Sequence, residues 1–358
     1  MSYIQKSIRS ETQGQSKSLQ GLRGFAALII VLFHFTSFVW SKHGVVPFSG
    51  FFFFGYSGVN IFFVMSGFLM YYIHHKDFGD YRRVFPFMKK RFLRIYPVYW
   101  VVLIIAGTGL LVRNKIGLLD YFFNASLILL PERYISPPSW TLWYEVMFYI
   151  FVIIVIVNKK IGFLSILLWI IVVVINNFSP ITDIYLPVLN IFNISFPMGI
   201  AAAYVGLRLK DESRERFSMI AVIVGSVLFV ANAGYSIVHS EPGNIVPWHE
   251  APFILGWGMS CSLLMFSVFS NKIENIFGRC KPLLILGDAS YSIFLLHFPL
   301  GRMLVRQAEK VNSLWEIKSD MVSNLFLIAV SCSAIIICYF FFKYIELPMI
   351  KYLKRRLT

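Results

Sequence analysis

The feature that most constrains this chain is a succession of apolar runs, each about as long as a bilayer is thick. They fall near residues 22–40, 54–73, 97–113, 140–157, 161–177, 186–206, 217–238, 252–270, 283–301 and 323–343. A helix of about 20 apolar residues crosses the hydrocarbon core. Inside that core only helices and closed barrels satisfy every backbone polar group. The sequence is 57% hydrophobic and 14% charged, more apolar surface than a soluble domain of this size hides. The runs therefore predict an all-α, polytopic membrane protein with about ten transmembrane helices. The stretch 117–130, GLLDYFFNASLILL, is apolar but short. It reads as a re-entrant or interfacial helix, and an eleven-span arrangement in which it crosses is the alternative.

The net charge of +15 does not point to nucleic acid, because the basic residues sit in short loops between apolar runs. That distribution is a topology signal and a contact for lipid headgroups. Ten spans with a cytoplasmic N-terminus place 25 of the 33 Lys and Arg residues on the inner side. Both termini are therefore expected in the cytoplasm, with the chain in the cell (inner or plasma) membrane. Residues 1–18 read as a flexible cytoplasmic tail, 19–345 as the membrane domain and 346–358 as a basic cytoplasmic tail suited to the inner leaflet. The first run lacks a convincing cleavage site after it and is expected to be retained as a signal anchor. The four cysteines, Cys261, Cys280, Cys332 and Cys338, have no metal-ligand spacing, so neither a metal site nor a disulfide framework is expected.

Few polar residues interrupt the runs, and each is a candidate for function. Arg23 and His34 lie eleven residues apart in LRGFAALIIVLFHF. They share one stripe of a helix, separated by roughly 16 Å along its axis. The bland reading is an anchoring Arg and a packing His. Glu145 stands five residues into SWTLWYEVMFYIF, and His297 near the end of GDASYSIFLLHFPL, with Tyr291 deeper in the same run. Counting from the run ends puts His34, Glu145 and His297 at one depth, about 6–9 Å below the outer surface. A polar cluster that merely joins helices is the competing account, and an interfacial aromatic belt is a sufficient one for Trp140. On the other side, YRRVFPFMKKRFLRIYPVYW presents Arg91 and Arg94 three residues apart. They face the same way on a helix and suit a phosphate-bearing ligand or anionic lipid. The small residues Ser57, Gly58, Ser66 and Gly67 in the second run allow a neighbouring helix to approach closely.

Taken together, LQGLRGFAALIIVLFHF, FFVMSGFLM, FMKKRFLRIYPVYW, SWTLWYEVMFYIF and GDASYSIFLLHFP resemble the acyltransferase 3 integral-membrane acyltransferases, in the family's order. The resemblance implies transfer of an acyl group, usually acetyl, from cytoplasmic acyl-CoA to a hydroxyl of an extracytoplasmic carbohydrate. It implies acyl-CoA as co-substrate and no metal. Arg23 and His34 are then expected in catalysis, with Glu145 beside them. Arg91 and Arg94 are expected at the CoA donor, and Trp140, Tyr291 and His297 at the substrate. His34 suits either a general base or an acyl-carrying nucleophile. Membrane lipids, the carbohydrate acceptor and glycan-assembly proteins are the expected partners. Two other readings share these residues: a proton-coupled transporter or flippase for glycans, and a non-catalytic partner of a polysaccharide synthase. The sequence shows no internal repeat of the kind many transporters carry.

Overall fold

The computed structural model describes residues 16–113, 115–127, 134–179, 186–241, 250–311 and 319–357, which form helices and, among the described residues, no β-strand. Helix α1 (Lys17–His43) is followed by a 3-10 segment (Pro47–Ser57) and α2 (Gly58–His74). Then come α3 (Val84–Val112), the short α4 (Leu118–Ser126), α5 (Trp140–Val157) and α6 (Lys159–Phe178). Next are α7 (Ser195–Arg208), α8 (Asp211–His239), α9 (Ala251–Leu264), α10 (Asn271–Arg279), α11 (Lys281–Asp288) and α12 (Ser290–Val311). The last two, α13 (Asp320–Phe341) and α14 (Leu347–Leu357), are joined by a π-helical turn, Phe342–Glu346. Among the described residues nine helices are long and apolar enough to cross a membrane, and α11 with α12 makes a tenth if the pair is one span. Large apolar side chains such as Ile105, Leu167 and Val227 face outward, as a surface bathed in acyl chains requires.

Each of the ten expected runs has its counterpart, but the ninth is not a straight helix. It is bent by 76° between α11 and α12. The cause lies in α1. The Gln20 side chain donates to the Leu284 carbonyl at 3.1 Å and to Asp288 Oδ1 at 2.6 Å. Three residues on, Arg23 Nη2 donates to Ser290 Oγ at 2.8 Å. Gln20, Arg23 and Gly24 share one face of α1, and that face supplies the polar partners a broken membrane helix needs. Backbone proximity makes this possible. A Cβ on Gly24 would stand 2.1 Å from the Leu283 carbonyl, and one on Gly287 2.0 Å from that of Gln20. A second close pair joins α2 to α7, where Gly67 abuts Phe196 and Gly199 abuts Val64.

The stretch expected to be re-entrant forms α4, with residues 128–130 outside the described part. Nine residues rise only about 13 Å, which is too short to cross, so the eleven-span alternative does not hold for α4. The helix docks by its C-terminus against the middle of α3. Tyr99 Oη donates to the Asn124 carbonyl at 2.8 Å, Trp100 Nε1 to Ala125 at 2.9 Å and Tyr96 Oη to Ser126 at 2.8 Å. These are terminal carbonyls that lack partners within the helix.

Helices run across both expected tail boundaries. Residues 1–15 lie outside the described part, but Ser16, Lys17 and Ser18 are ordered by Glu274 of α10. Its carboxylate accepts the Lys17 N–H at 2.7 Å, the Ser18 hydroxyl at 2.6 Å and the hydroxyl of Ser16. It thus caps the N-terminus of α1, where a negative charge is favourable. At the other end, α13, the π turn and α14 run on as one helical segment, so the boundary expected at 345 and 346 falls inside it.

The Gly24 approach gives a direct test. Gly24→Ala is expected to lower stability by about 1–3 kcal/mol, the usual cost of overpacking. Gly109→Ala, where nothing lies within 4 Å, is expected to be neutral or to gain up to about 1 kcal/mol of helix propensity. Melting temperatures in detergent check both.

Candidate active site

The face of α1 that grips the helix break also opens onto a cavity of about 340 Å³. Arg23, Arg91, Arg94, Glu145, Tyr149, Ser290 and Tyr291 supply its polar lining, and α2 supplies Ser66 with an apolar wall. The three guanidiniums come from two helices. Arg91 and Arg94 lie on adjacent turns of α3, and Arg23 faces them from α1. Arg94 packs over the Tyr291 ring at 5.4 Å, and the Tyr291 hydroxyl is spent on the Ile95 carbonyl at 2.8 Å. The Arg94 fork itself is left to the cavity. Arg91 lies between the rings of Phe87 and Tyr149, at 5.4 and 5.5 Å, and donates to His74 Nε2 at 3.1 Å. Because a guanidinium only donates, that bond leaves the His74 proton on Nδ1, which donates to Asp77 Oδ2 at 2.9 Å.

Glu145 is the carboxylate inside this cavity. It accepts the Tyr149 hydroxyl one turn below it and, at 3.4 Å, that of Ser66. Arg23 feels Arg94 as a like charge and Glu346, Asp288 and Glu145 as opposite ones. Among the side chains that line the space, three guanidiniums meet one carboxylate, an excess of positive charge that suits an anion.

A second cavity of about 180 Å³ abuts the first. Val59, Thr141 and Phe294 line both. His34, Tyr56 and Trp140 bring the polar groups here, with Phe33, Phe192 and Pro138 around them. The His34 ring lies 5.2 Å from that of His297 and 5.2 Å from that of Phe298. His297 is fully buried, and its Nδ1–H donates to the Ile293 carbonyl at 3.0 Å. Nε2 is then the unprotonated nitrogen, and it has no hydrogen-bond partner among the described residues.

The structure thus divides the candidate residues. Arg23, Arg91, Arg94, Glu145 and Tyr291 line one cavity, and His34 and Trp140 the other, with His297 behind His34. Of the expected cluster of His34, Glu145 and His297, the two imidazoles meet and Glu145 does not join them. Trp140 sits level with His34, so Glu145, five residues and about 8 Å further along α5, reaches the arginines instead. Tyr291 is likewise parted from Trp140, six residues and about 9 Å before His297 along α12. Sequence reasoning missed Ser290, Thr141 and Phe294. It also missed Tyr149, although a tyrosine four residues after Glu145 is visible as a same-face pair. Among the described residues no group of three His, Cys, Asp or Glu side chains gathers as a metal site.

The model of a family described as an acyltransferase domain, acyltransferase 3, matches residues 16–343. A curated relative, the exopolysaccharide production protein ExoZ of Rhizobium meliloti (strain 1021), is 28% identical over 260 residues. The matched part covers 68% of this chain and 75% of that one. No solved structure matches.

The buried imidazole behind His34 generates a test of its own. His297→Asn keeps an N–H for the Ile293 carbonyl and removes the unpaired Nε2. The Asn amide oxygen is a buried acceptor in its turn, so the polar balance is unchanged, and the smaller side chain costs about 1–2 kcal/mol of packing. The variant is expected to melt within a few degrees of wild type in detergent.

Proposed function

The chain belongs to the acyltransferase 3 family, and from that premise we propose that it moves an acetyl group from cytoplasmic acetyl-CoA to a hydroxyl of an extracytoplasmic carbohydrate. The observation that carries this reading is the pair of abutting cavities along α1, one ringed by arginines and one holding His34. Phosphates of the donor suit Arg94 and Arg91, which grip phosphate in bidentate fashion. The thin pantetheine arm runs from there along the Arg23–His34 stripe, past Val59, Thr141 and Phe294, and brings the thioester to His34. The aromatic lining of the second cavity, Trp140 with Phe192 and Tyr56, suits the C–H face of a sugar ring. The polysaccharide link of the R. meliloti relative favours such an acceptor.

In this reading His34 is the general base. It takes the proton of the sugar hydroxyl as the oxygen bonds to the thioester carbonyl carbon. The C–S bond then breaks, the thiolate leaves and takes up a proton, and the ester remains on the sugar. His297, whose ring lies 5.2 Å from that of His34 and whose Nε2 has no partner among the described residues, steadies the His34 ring in this reading as it becomes charged. The charge bias of the loops supports a cytoplasmic position for the arginine cavity. That side meets the cytoplasmic pool of acyl-CoA, and the inner membrane is the compartment proposed. A transporter or a scaffold built on the same residues would need no acyl donor.

Sidedness is the decisive measurement. In sealed vesicles of known orientation, acetyl-CoA is expected to work only from the cytoplasmic face, with acylated acceptor appearing on the other. Equal use of donor from the extracytoplasmic face would exclude the route. His34→Ala is expected to abolish transfer while the protein still folds, and near-normal glycan acylation in that variant would make His34 structural. Arg94→Ala is expected to raise the donor KM by about ten- to a hundredfold, the loss of one bond to a charged group. Arg91, already held by His74, is expected to show the smaller effect.

A further inference from the structure

The last helix carries a carboxylate that the mechanism above does not use. Glu346 is 2% exposed, and its carboxylate accepts the hydroxyl of the fully buried Ser292. Sequence periodicity does not put it there. The packed stripe of α13 runs through Leu327, Ser331, Ala334 and Cys338, and 3.6-residue spacing continues it to residue 345. Yet Ile345 is 39% exposed, and Glu346 takes the buried place. The π turn over Phe342–Glu346 inserts one extra residue into the helix and shifts the register by that one position. π turns of this kind recur at functional sites.

What Glu346 meets is the first turn of α12, just after the 76° break. A negative charge at the start of a helix is favourable. Ser292 holds Glu346 there, and Ser290, two residues earlier, holds Arg23 at 2.8 Å. One helix start therefore carries both a cation of the arginine cavity and the buried anion. Glu346 also acts electrostatically on Arg94 as well as Arg23, yet it does not line the cavity. The two guanidiniums repel each other across that space. Glu145, inside it, is open to whatever enters. Asp288 is a counter-charge to Arg23 outside the cavity, and Glu346 is one that acts on both guanidiniums from outside it.

From the π turn, the bond to Ser292 and the Arg23–Ser290 pair, we infer that Glu346 is a positioning residue for acyl transfer: it fixes Arg23 and Arg94 at the broken helix in the arrangement the reaction needs, without touching the donor. The inference rests on the acyl-transfer reading and separates itself from it by a kinetic signature. Removing a negative charge from beneath an anion site does not weaken anion binding, but it frees the two guanidiniums to move apart. Glu346→Gln keeps size and hydrogen-bonding capacity and removes only the charge.

The test uses the full chain in bilayer vesicles and measures initial rates of label transfer from radiolabelled acetyl-CoA to membrane carbohydrate, per folded molecule. Glu346→Gln is expected to lower kcat by about tenfold or more, the scale of one lost charge-assisted contact. The KM for acetyl-CoA is expected to stay the same or fall. Glu346→Asp is expected to recover part of kcat. A Glu346→Gln rate within twofold of wild type would overturn the inference. So would a loss seen only as a raised KM, or a loss of folded protein with a normal rate per molecule. If the wild type itself does not use acetyl-CoA, the acyl-transfer reading fails and takes this inference with it.

Discussion

A guanidinium inside an apolar helix bundle has to be held, and the way Arg23 is held organises the rest of the molecule. Its partner is not a carboxylate in contact but the Ser290 hydroxyl, at the start of α12. That hydroxyl is available because the ninth membrane run is broken, and the break is tolerated because Gln20 satisfies the end of α11. Neither half is sensible alone. An unpaired Arg in α1 would be costly, and an unpaired helix break in hydrocarbon would be costly too. Each residue supplies the polar group that the other requires. The small surfaces at Gly24 and Gly287 bring the two backbones close enough for the exchange.

From that joint the division of the interior follows. Arg23 anchors one end of the α1 stripe among cations, and eleven residues on the same stripe delivers His34 into a cavity of aromatic rings. The first cavity is charged and mostly cationic, while the second is apolar around a few hydrogen-bonding groups. In the proposed reading the guanidiniums of the first cavity attract the anionic donor, and the aromatic lining of the second suits a neutral, polyhydroxylated acceptor. One helix thus presents two chemistries without a change of fold.

The architecture was legible because it depends on long-range averages. Ten apolar runs are a summed property, robust to a residue here or there, and each has its helix or bent pair in the structure. The Arg23–His34 stripe was legible because helical periodicity is rigid over three turns. The partition of the other polar residues was not. Depth counted from run ends fails where helices begin at different levels, which is how Glu145 came to be expected beside His34 and is instead among the arginines. The break at Ala289 and the π turn are local register changes that no periodicity announces. Both are stabilised by residues more than 50 positions away in sequence, Gln20 and Arg23 for one and Ser292 for the other.

Those two irregularities have a common physical sense. A regular helix turns about 100° per residue, so Ser290 and Ser292, two apart at the start of α12, face nearly opposite sides. The break puts a helix start at this place, from which Ser290 meets Arg23 and Ser292 meets Glu346, and the π turn brings Glu346 into register with Ser292. Departures from ideal geometry cost stability and persist where surrounding contacts over-determine them. Here the contacts that do so are the guanidinium, the two serine hydroxyls and the buried carboxylate themselves. The same four groups that need the distortion hold it in place, which in the proposed reading fixes the charges of the arginine cavity before the donor arrives. A site arranged in advance spends no binding energy on reorganising its own dipoles, and this one is arranged by the polar groups that a membrane interior makes most expensive to leave alone.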